Sequence, residues 1–202
     1  DMPTLERLRD AHDPIILVPL GNKEFMNEQG FDNVVELRWW EEHQFNDFTT
    51  TFVPAEHFSN RGACDRNTSL WGGYVFHSEG GPVYFVGDTG FGSFFEKIRD
   101  EFGPMRFSMI PIGAYKPRWF MKPVHVNPEE AVLAHRILES AQSMGIHYGT
   151  FQQAEDSEYD PVVDLRDAMI KYGIAPGEFL PITNGKHLDI PPLQVDKEIS
   201  QN

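Results

Sequence analysis

The stretch Ile15-Ile16-Leu17-Val18-Pro19-Leu20 is apolar at every position. A strand with one wet face alternates polar and apolar residues, so a run without polar interruption is the pattern of a parallel strand buried on both sides. Phe107 to Ile112 reads as another apolar strand. Helix signals lie between such strands. Pro3 to Ala11 carries Leu5 and Leu8 on one face, and Pro14 ends it. Lys23 to Gln29 is a short helix closed by Gly30. Phe94 to Phe102 is amphipathic and stops at Gly103-Pro104. Asn127-Pro128-Glu129-Glu130 starts a helix expected to run to about Gln142: Asn caps it, Pro fits its first turn, and two acids meet its dipole. Pro161 to Tyr172 is a further helix, stopped by Gly173.

Asn33 to Trp40 reads as a strand with Val35, Leu37 and Trp39 alternating against Glu36 and Arg38, and Phe48 to Val53 is Thr-rich and β-prone. Leu70 to His77 and Val83 to Val86 form a hairpin across Ser78-Glu79-Gly80-Gly81-Pro82. Met144 to His147 and Phe179 to Thr183 complete the strands. The pattern predicts an α/β fold, a mixed sheet covered by helices. It forms one domain over residues 1–190, with a polar tail over 191–202.

Composition narrows the function. With 31 acids against 17 basic residues the formal net charge is −14. That disfavours nucleic acid and docking on an anionic membrane, since both recruit Lys and Arg. Cys64 is the one cysteine, which excludes an internal disulfide and fits a reducing compartment. No apolar run is long enough to span a bilayer. The expected location is the cytoplasm, peripheral to a membrane at most. The opening Asp1-Met2-Pro3-Thr4 reads as an N-terminus that has lost residues, targeting signals among them.

Ligand groups in α/β folds gather where strands hand over to loops. Three residues stand there: His57 after Phe52-Val53-Pro54-Ala55-Glu56, Asp88 after Val83-Tyr84-Phe85-Val86-Gly87, and His147 after Met144-Gly145-Ile146. Two imidazoles and a carboxylate suit zinc, iron or manganese. Each also has a plain structural use. A strand-end histidine commonly just hydrogen-bonds, and Asp88 before Thr89-Gly90 suits an Asx-turn. Spacing alone leaves both readings open. Asp47, Asp156 and Asp160 read as surface or capping residues, and His135 as a packed or hydrogen-bonded helix residue. Ser69 and Ser143 lack a nucleophile elbow, and no glycine pair is followed by the Lys-Ser/Thr of a phosphate loop.

Several strings together carry a resemblance. They are Trp39-Trp40-Glu41-Glu42, Pro54-Ala55-Glu56-His57-Phe58-Ser59, Leu70-Trp71-Gly72, Gly87-Asp88-Thr89-Gly90, Ile110-Pro111-Ile112-Gly113-Ala114-Tyr115-Lys116-Pro117-Arg118-Trp119-Phe120-Met121, His125-Val126-Asn127-Pro128-Glu129-Glu130-Ala131 and Ser143-Met144-Gly145-Ile146-His147-Tyr148-Gly149-Thr150-Phe151. In identity and order they resemble the N-acyl-phosphatidylethanolamine phospholipase D family of the metallo-β-lactamase superfamily, with its RomA-like bacterial relatives. The resemblance implies an αβ/βα sandwich and a pair of zinc ions, with iron or manganese as substitutes. It makes His57, Asp88 and His147 metal ligands, Asp88 bridging. It makes His125 a catalytic neighbour that meets the phosphate or assists proton transfer. The implied reaction is phosphodiester hydrolysis of an N-acyl-phosphatidylethanolamine-like lipid by a metal-bridging hydroxide. Trp119, Phe120 and Met121 suit either an apolar approach for an acyl chain or plain core or subunit contacts.

The family's first motif, His-x-His-x-Asp-His, is absent from this chain, and Asp1-Met2-Pro3 looks like the residues that follow it. The resemblance therefore implies an incomplete sandwich. Its remaining metal ligands would come from an N-terminal half, and this part alone would be inactive and bind metal weakly. That half is one expected partner, beside a phospholipid-like or other phosphodiester substrate and a second copy in a homodimer. The alternatives are a superfamily hydrolase acting on a lactone or cyclic phosphodiester, and a catalytically dead scaffold module.

Overall fold

The computed structural model describes residues 1–62 and 64–193. Its elements follow the chain as α1 (Met2–His12), β1 (Ile16–Pro19), α2 (Lys23–Glu28), β2 (Val34–Leu37), β3 (Glu42–Gln44), β4 (Thr49–Val53), β5 (Gly73–His77), β6 (Val83–Phe85), α3 (Phe94–Phe102), β7 (Phe107–Pro111), α4 (Arg118–Met121), α5 (Pro128–Ile137), β8 (Ser143–Ile146), α6 (Asp160–Tyr172) and β9 (Phe179–Leu180). Seven strands form one mixed sheet in the order β3-β4-β5-β6-β7-β8-β9, and β1 and β2 pair separately in parallel. The expected α/β architecture is present. Most of the expected 191–202 tail lies outside the described residues.

Strand direction decides where the site falls. β4 and β6 are both antiparallel to β5, so they run the same way. β7 and β8 continue parallel to β6. The chain therefore leaves β4, β6, β7 and β8 at one edge of the sheet, and those exits carry His57, Asp88, the Gly113-Ala114 turn and His147.

One core holds these strands. Tyr84, Val86, Ile110 and Ile112 from the strand region pack with Phe95 and Ile98 of α3, Ala131 and Val132 of α5 and Leu165 of α6. A smaller cluster of Val18, Met26, Phe31 and Val34 sits under α2. Asn127 caps α5 as expected. Its side chain accepts from the Glu130 amide while the Glu130 carboxylate accepts from the Asn127 amide, a full capping box.

Four expectations need correction. β1 is parallel, but within the described residues only Val18 on it is buried. β2 buries Val34 and Leu37 rather than alternating on Val35, Leu37 and Trp39. α5 stops at Ile137 rather than near Gln142, because Glu139 turns left-handed and the Ala141 amide donates to Met105, aiming the chain into β8. β9 is only Phe179–Leu180.

His135 is 4% exposed, and its Nδ1 lies 2.8 Å from the Ser143 hydroxyl. Burial lowers its pKa below the ordinary 6.5, with Glu178 pulling weakly the other way. The unfolded ring takes a proton near pH 6.5 that the folded ring refuses, so stability rises with pH through this range. The melting temperature is expected to be flat above about pH 7 and to fall as pH drops below about 6.5. His135→Gln, which cannot titrate, should flatten that slope in calorimetry from pH 5 to 8; an unchanged slope would contradict the assignment. Ser143 is fully buried beside this ring, so the pair faces no substrate.

Candidate metal centre

His57, Asp88 and His147 are delivered by strand exits, and His125 by the loop between α4 and α5. Trp71 donates from Nε1 to the Ala55 carbonyl at 3.0 Å, and Trp39 donates to the Trp71 carbonyl at 2.7 Å. The two tryptophans of the Trp39-Trp40 and Leu70-Trp71-Gly72 strings thus brace the segment leading to His57. The Asp88 turn is the central strap. The Glu56 amide donates to the Thr89 hydroxyl at 2.9 Å, and the Gly90 amide donates to the Glu56 carbonyl at 2.7 Å. On its other side the Val126 amide donates to the Thr89 carbonyl at 2.7 Å. His57 and His125, distant in sequence, are therefore both hung on the fully buried Thr89. Its role was not read from the sequence, although the Gly87-Asp88-Thr89-Gly90 string contains it.

These ties draw three imidazoles and a carboxylate together. The His57 and His125 ring centroids lie 5.3 Å apart, and those of His125 and His147 lie 5.4 Å apart. His147 Nε2 stands 3.5 Å from Asp88 Oδ1. His57 Nδ1 faces the Phe58 carbonyl at 2.9 Å, which leaves Nε2 as its other polar atom. Among the described residues the buried Nδ1 atoms of His125 and His147 find no hydrogen-bond partner, a costly condition. His147 also adopts a left-handed backbone, with φ of 60°, a conformation that non-glycine residues rarely take and that clusters at functional sites. Burial pushes the His125 pKa down to about 4. Asp88 opposes that shift, while His147 and His57 reinforce it. The ring is therefore neutral at pH 7.

The donor types fit a divalent cation, and so do the unpartnered buried nitrogens. The set is open, however: among the described residues no group of three or more His, Cys, Asp or Glu is placed to hold a metal ion by itself. Among the described residues the Asp88 side chain, 44% exposed, makes no hydrogen bond to the backbone of its own turn, so the Asx-turn alternative finds no support. Trp119 and Phe120 are 83% and 63% exposed on α4, which excludes a core role for both. Among the described residues no helix is long and apolar enough to cross a membrane.

The Asp156 expectation is overturned. It is 8% exposed rather than on the surface, and its carboxylate accepts from three backbone amides in the turn beyond β7. Asp160 is the first residue of α6 rather than its cap; its carboxylate accepts from the Ser157 hydroxyl and from Lys116.

Comparison with known proteins agrees with this architecture. The "Beta-lactamase superfamily domain" family model matches residues 4–148. An N-acyl-phosphatidylethanolamine-hydrolyzing phospholipase D of Caenorhabditis elegans is 42% identical over 165 residues, 75% of this chain and 46% of that protein. A mitochondrial protein of the same name from Saccharomyces cerevisiae is 37% identical over 158 residues, 75% of this chain and 34% of that protein. The chain thus spans less than half the length of these relatives. Among solved structures, Igni18, a metallo hydrolase from Ignicoccus hospitalis, superposes with a TM-score of 0.67 at 18% identity, covering 91% of this chain and 71% of that one. With the family model covering most of the chain and the same fold in a solved relative, this protein belongs to the metallo-β-lactamase superfamily, in the company of the N-acyl-phosphatidylethanolamine-hydrolysing phospholipases D.

Proposed function

We propose that this chain carries part of the metal centre of a phosphodiester hydrolase of phospholipase D type, acting on N-acyl-phosphatidylethanolamine-like lipids. The observation that supports it is the meeting of His57, Asp88, His125 and His147 at one sheet edge, from four separate parts of the chain. His57, Asp88 and His147 would hold the cation, zinc in the first instance, and the donors that close the set would come from the N-terminal half expected to accompany this chain. When bound, a pair of such ions supplies Lewis-acid polarisation of the phosphoryl oxygen and a water acidified to near neutrality. His125 presents a neutral, desolvated ring beside them, suited to a hydrogen bond to the phosphate. Asp88 Oδ1 and His147 Nε2 stand 3.5 Å apart, so both present donor atoms to the same space.

The exposed Trp119 and Phe120, in edge contact at 5.6 Å, offer an apolar surface to an acyl chain. Contact with a lipid at the bilayer surface, or with a second copy, would use the same face. The open donor set favours a second reading, a scaffold without metal. A panel of substrates offered to the metal-loaded full-length protein separates the enzymatic readings. Phosphodiester lipids are expected to turn over at least about tenfold faster than lactones or cyclic phosphodiesters, as differential transition-state binding requires. Faster lactone hydrolysis would move the assignment to a carboxylester.

A further inference from the structure

We propose that Asp156 is a positioning residue for His125 and His147, acting through the Gly113–Lys116 turn. The proposal rests on the functional reading above only in giving those two histidines work to do. Asp156 lies 42 positions from the first amide it meets, at 3.0 Å from Ala114 N to Oδ2, and takes Tyr115 N at 3.0 Å and Lys116 N at 3.2 Å on Oδ1. In return the Glu155 amide donates to the Lys116 carbonyl at 3.2 Å. A buried carboxylate that accepts three backbone amides makes charge-assisted bonds, stronger than a neutral acceptor provides. Ala114 needs that hold, because its φ is +58°, a region costly for a residue with a side chain.

The clamped turn touches the site at both ends. At its start, Gly113 backs directly onto the His147 carbonyl, so closely that a Cβ there would collide with it. The left-handed His147 backbone is thus seated against a turn that Asp156 holds. At its end, the chain enters α4 at Arg118, whose guanidinium donates to the His125 carbonyl at 2.7 Å and to Glu130 at 2.8 Å. The His125 amide is tied to the same short helix, donating to Met121 at 2.8 Å. Two further anchors share the turn: the Tyr115 hydroxyl donates to Asp164 at 2.5 Å and Lys116 pairs with Asp160 at 2.7 Å. Both of those carboxylates are about a third or more exposed, whereas Asp156 is buried. One carboxylate therefore fixes one turn, and that turn sets the place of two site imidazoles.

The test uses the full-length protein stripped of metal, with per-residue modification by diethyl pyrocarbonate followed by mass spectrometry. Asp156→Asn should raise the rates at His125 and His147 about five- to tenfold, the change expected when a local opening becomes easier. Rates at the remote His12 and His77 should stay at the wild-type level. Unchanged rates at His125 and His147, or a rise shared equally by His12 and His77, would overturn the proposal. If Asp156→Asn does not fold, Gly113→Ala carries the test. It displaces the turn without removing the carboxylate, and it must speed both site histidines; a rise at His147 alone would contradict the coupling. In a zinc titration, Asp156→Asn should weaken affinity about 10- to 100-fold, the usual cost of losing support behind a ligand. Wild-type protein that takes up no zinc would remove the metal reading and leave the modification contrast to decide this one.

Discussion

Asp88→Asn in the full-length protein is expected to lower phosphodiester turnover by about three orders of magnitude or more, the scale set when charge stabilisation of several kcal/mol is lost. Asn keeps the size of the side chain and removes its charge. The substitution should leave the fold intact, because the Asp88 side chain is 44% exposed and the His147 ring stands 3.5 Å from it. The turn around it is held by Thr89 and Gly90 instead. Exposed substitutions of this kind shift stability by about 0.5 kcal/mol or less. The expected pattern is thus a dead enzyme with a normal melting curve, read by steady-state kinetics beside calorimetry. Near-normal turnover would refute the role of Asp88.

The largest expected stability effect lies behind the site. Phe95→Ala should cost about 3–5 kcal/mol, measured by urea unfolding, because it removes a large side chain from a packed interior. Phe95 is fully buried on α3, with its ring 4.2 Å from that of Phe94 and 5.8 Å from that of Phe91. Its cluster includes Tyr84 and Ile110, from the strands whose exits carry Asp88 and the Gly113 turn. Losing Phe95 therefore loosens the platform from which the site projects. A cost below about 1 kcal/mol would mean that the cluster closes over the space, and would separate the core from the site.

Asp88 and Asp156 differ in how legible they are in the sequence. The placement of Asp88, His57 and His147 at one sheet edge is legible because each follows a strand that its composition marks, and parallel strands end at one edge. Convergence was less legible, because it depends on β4 running with β6 and on Thr89 tying His57 to His125. His125 entered only through the resemblance, since nothing in its local sequence separates it from a residue preceding a helix cap. Asp156 was misread for a definite reason. It sits in a polar stretch that looks like surface, and its partners are main-chain amides, which leave no mark in the side-chain pattern. The early stop of α5 and the shortness of β9 have the same origin. Both follow from where the chain must go next in three dimensions, rather than from local propensity.

Under the proposed function, His57, Asp88 and His147 grip cations. Elemental analysis of the full-length protein, purified without chelator, tests it most directly beside single variants at those three positions. About two metal equivalents are expected in the wild type, with a clear loss in each variant. Wild-type protein free of metal, or variants that retain the full complement, would contradict it.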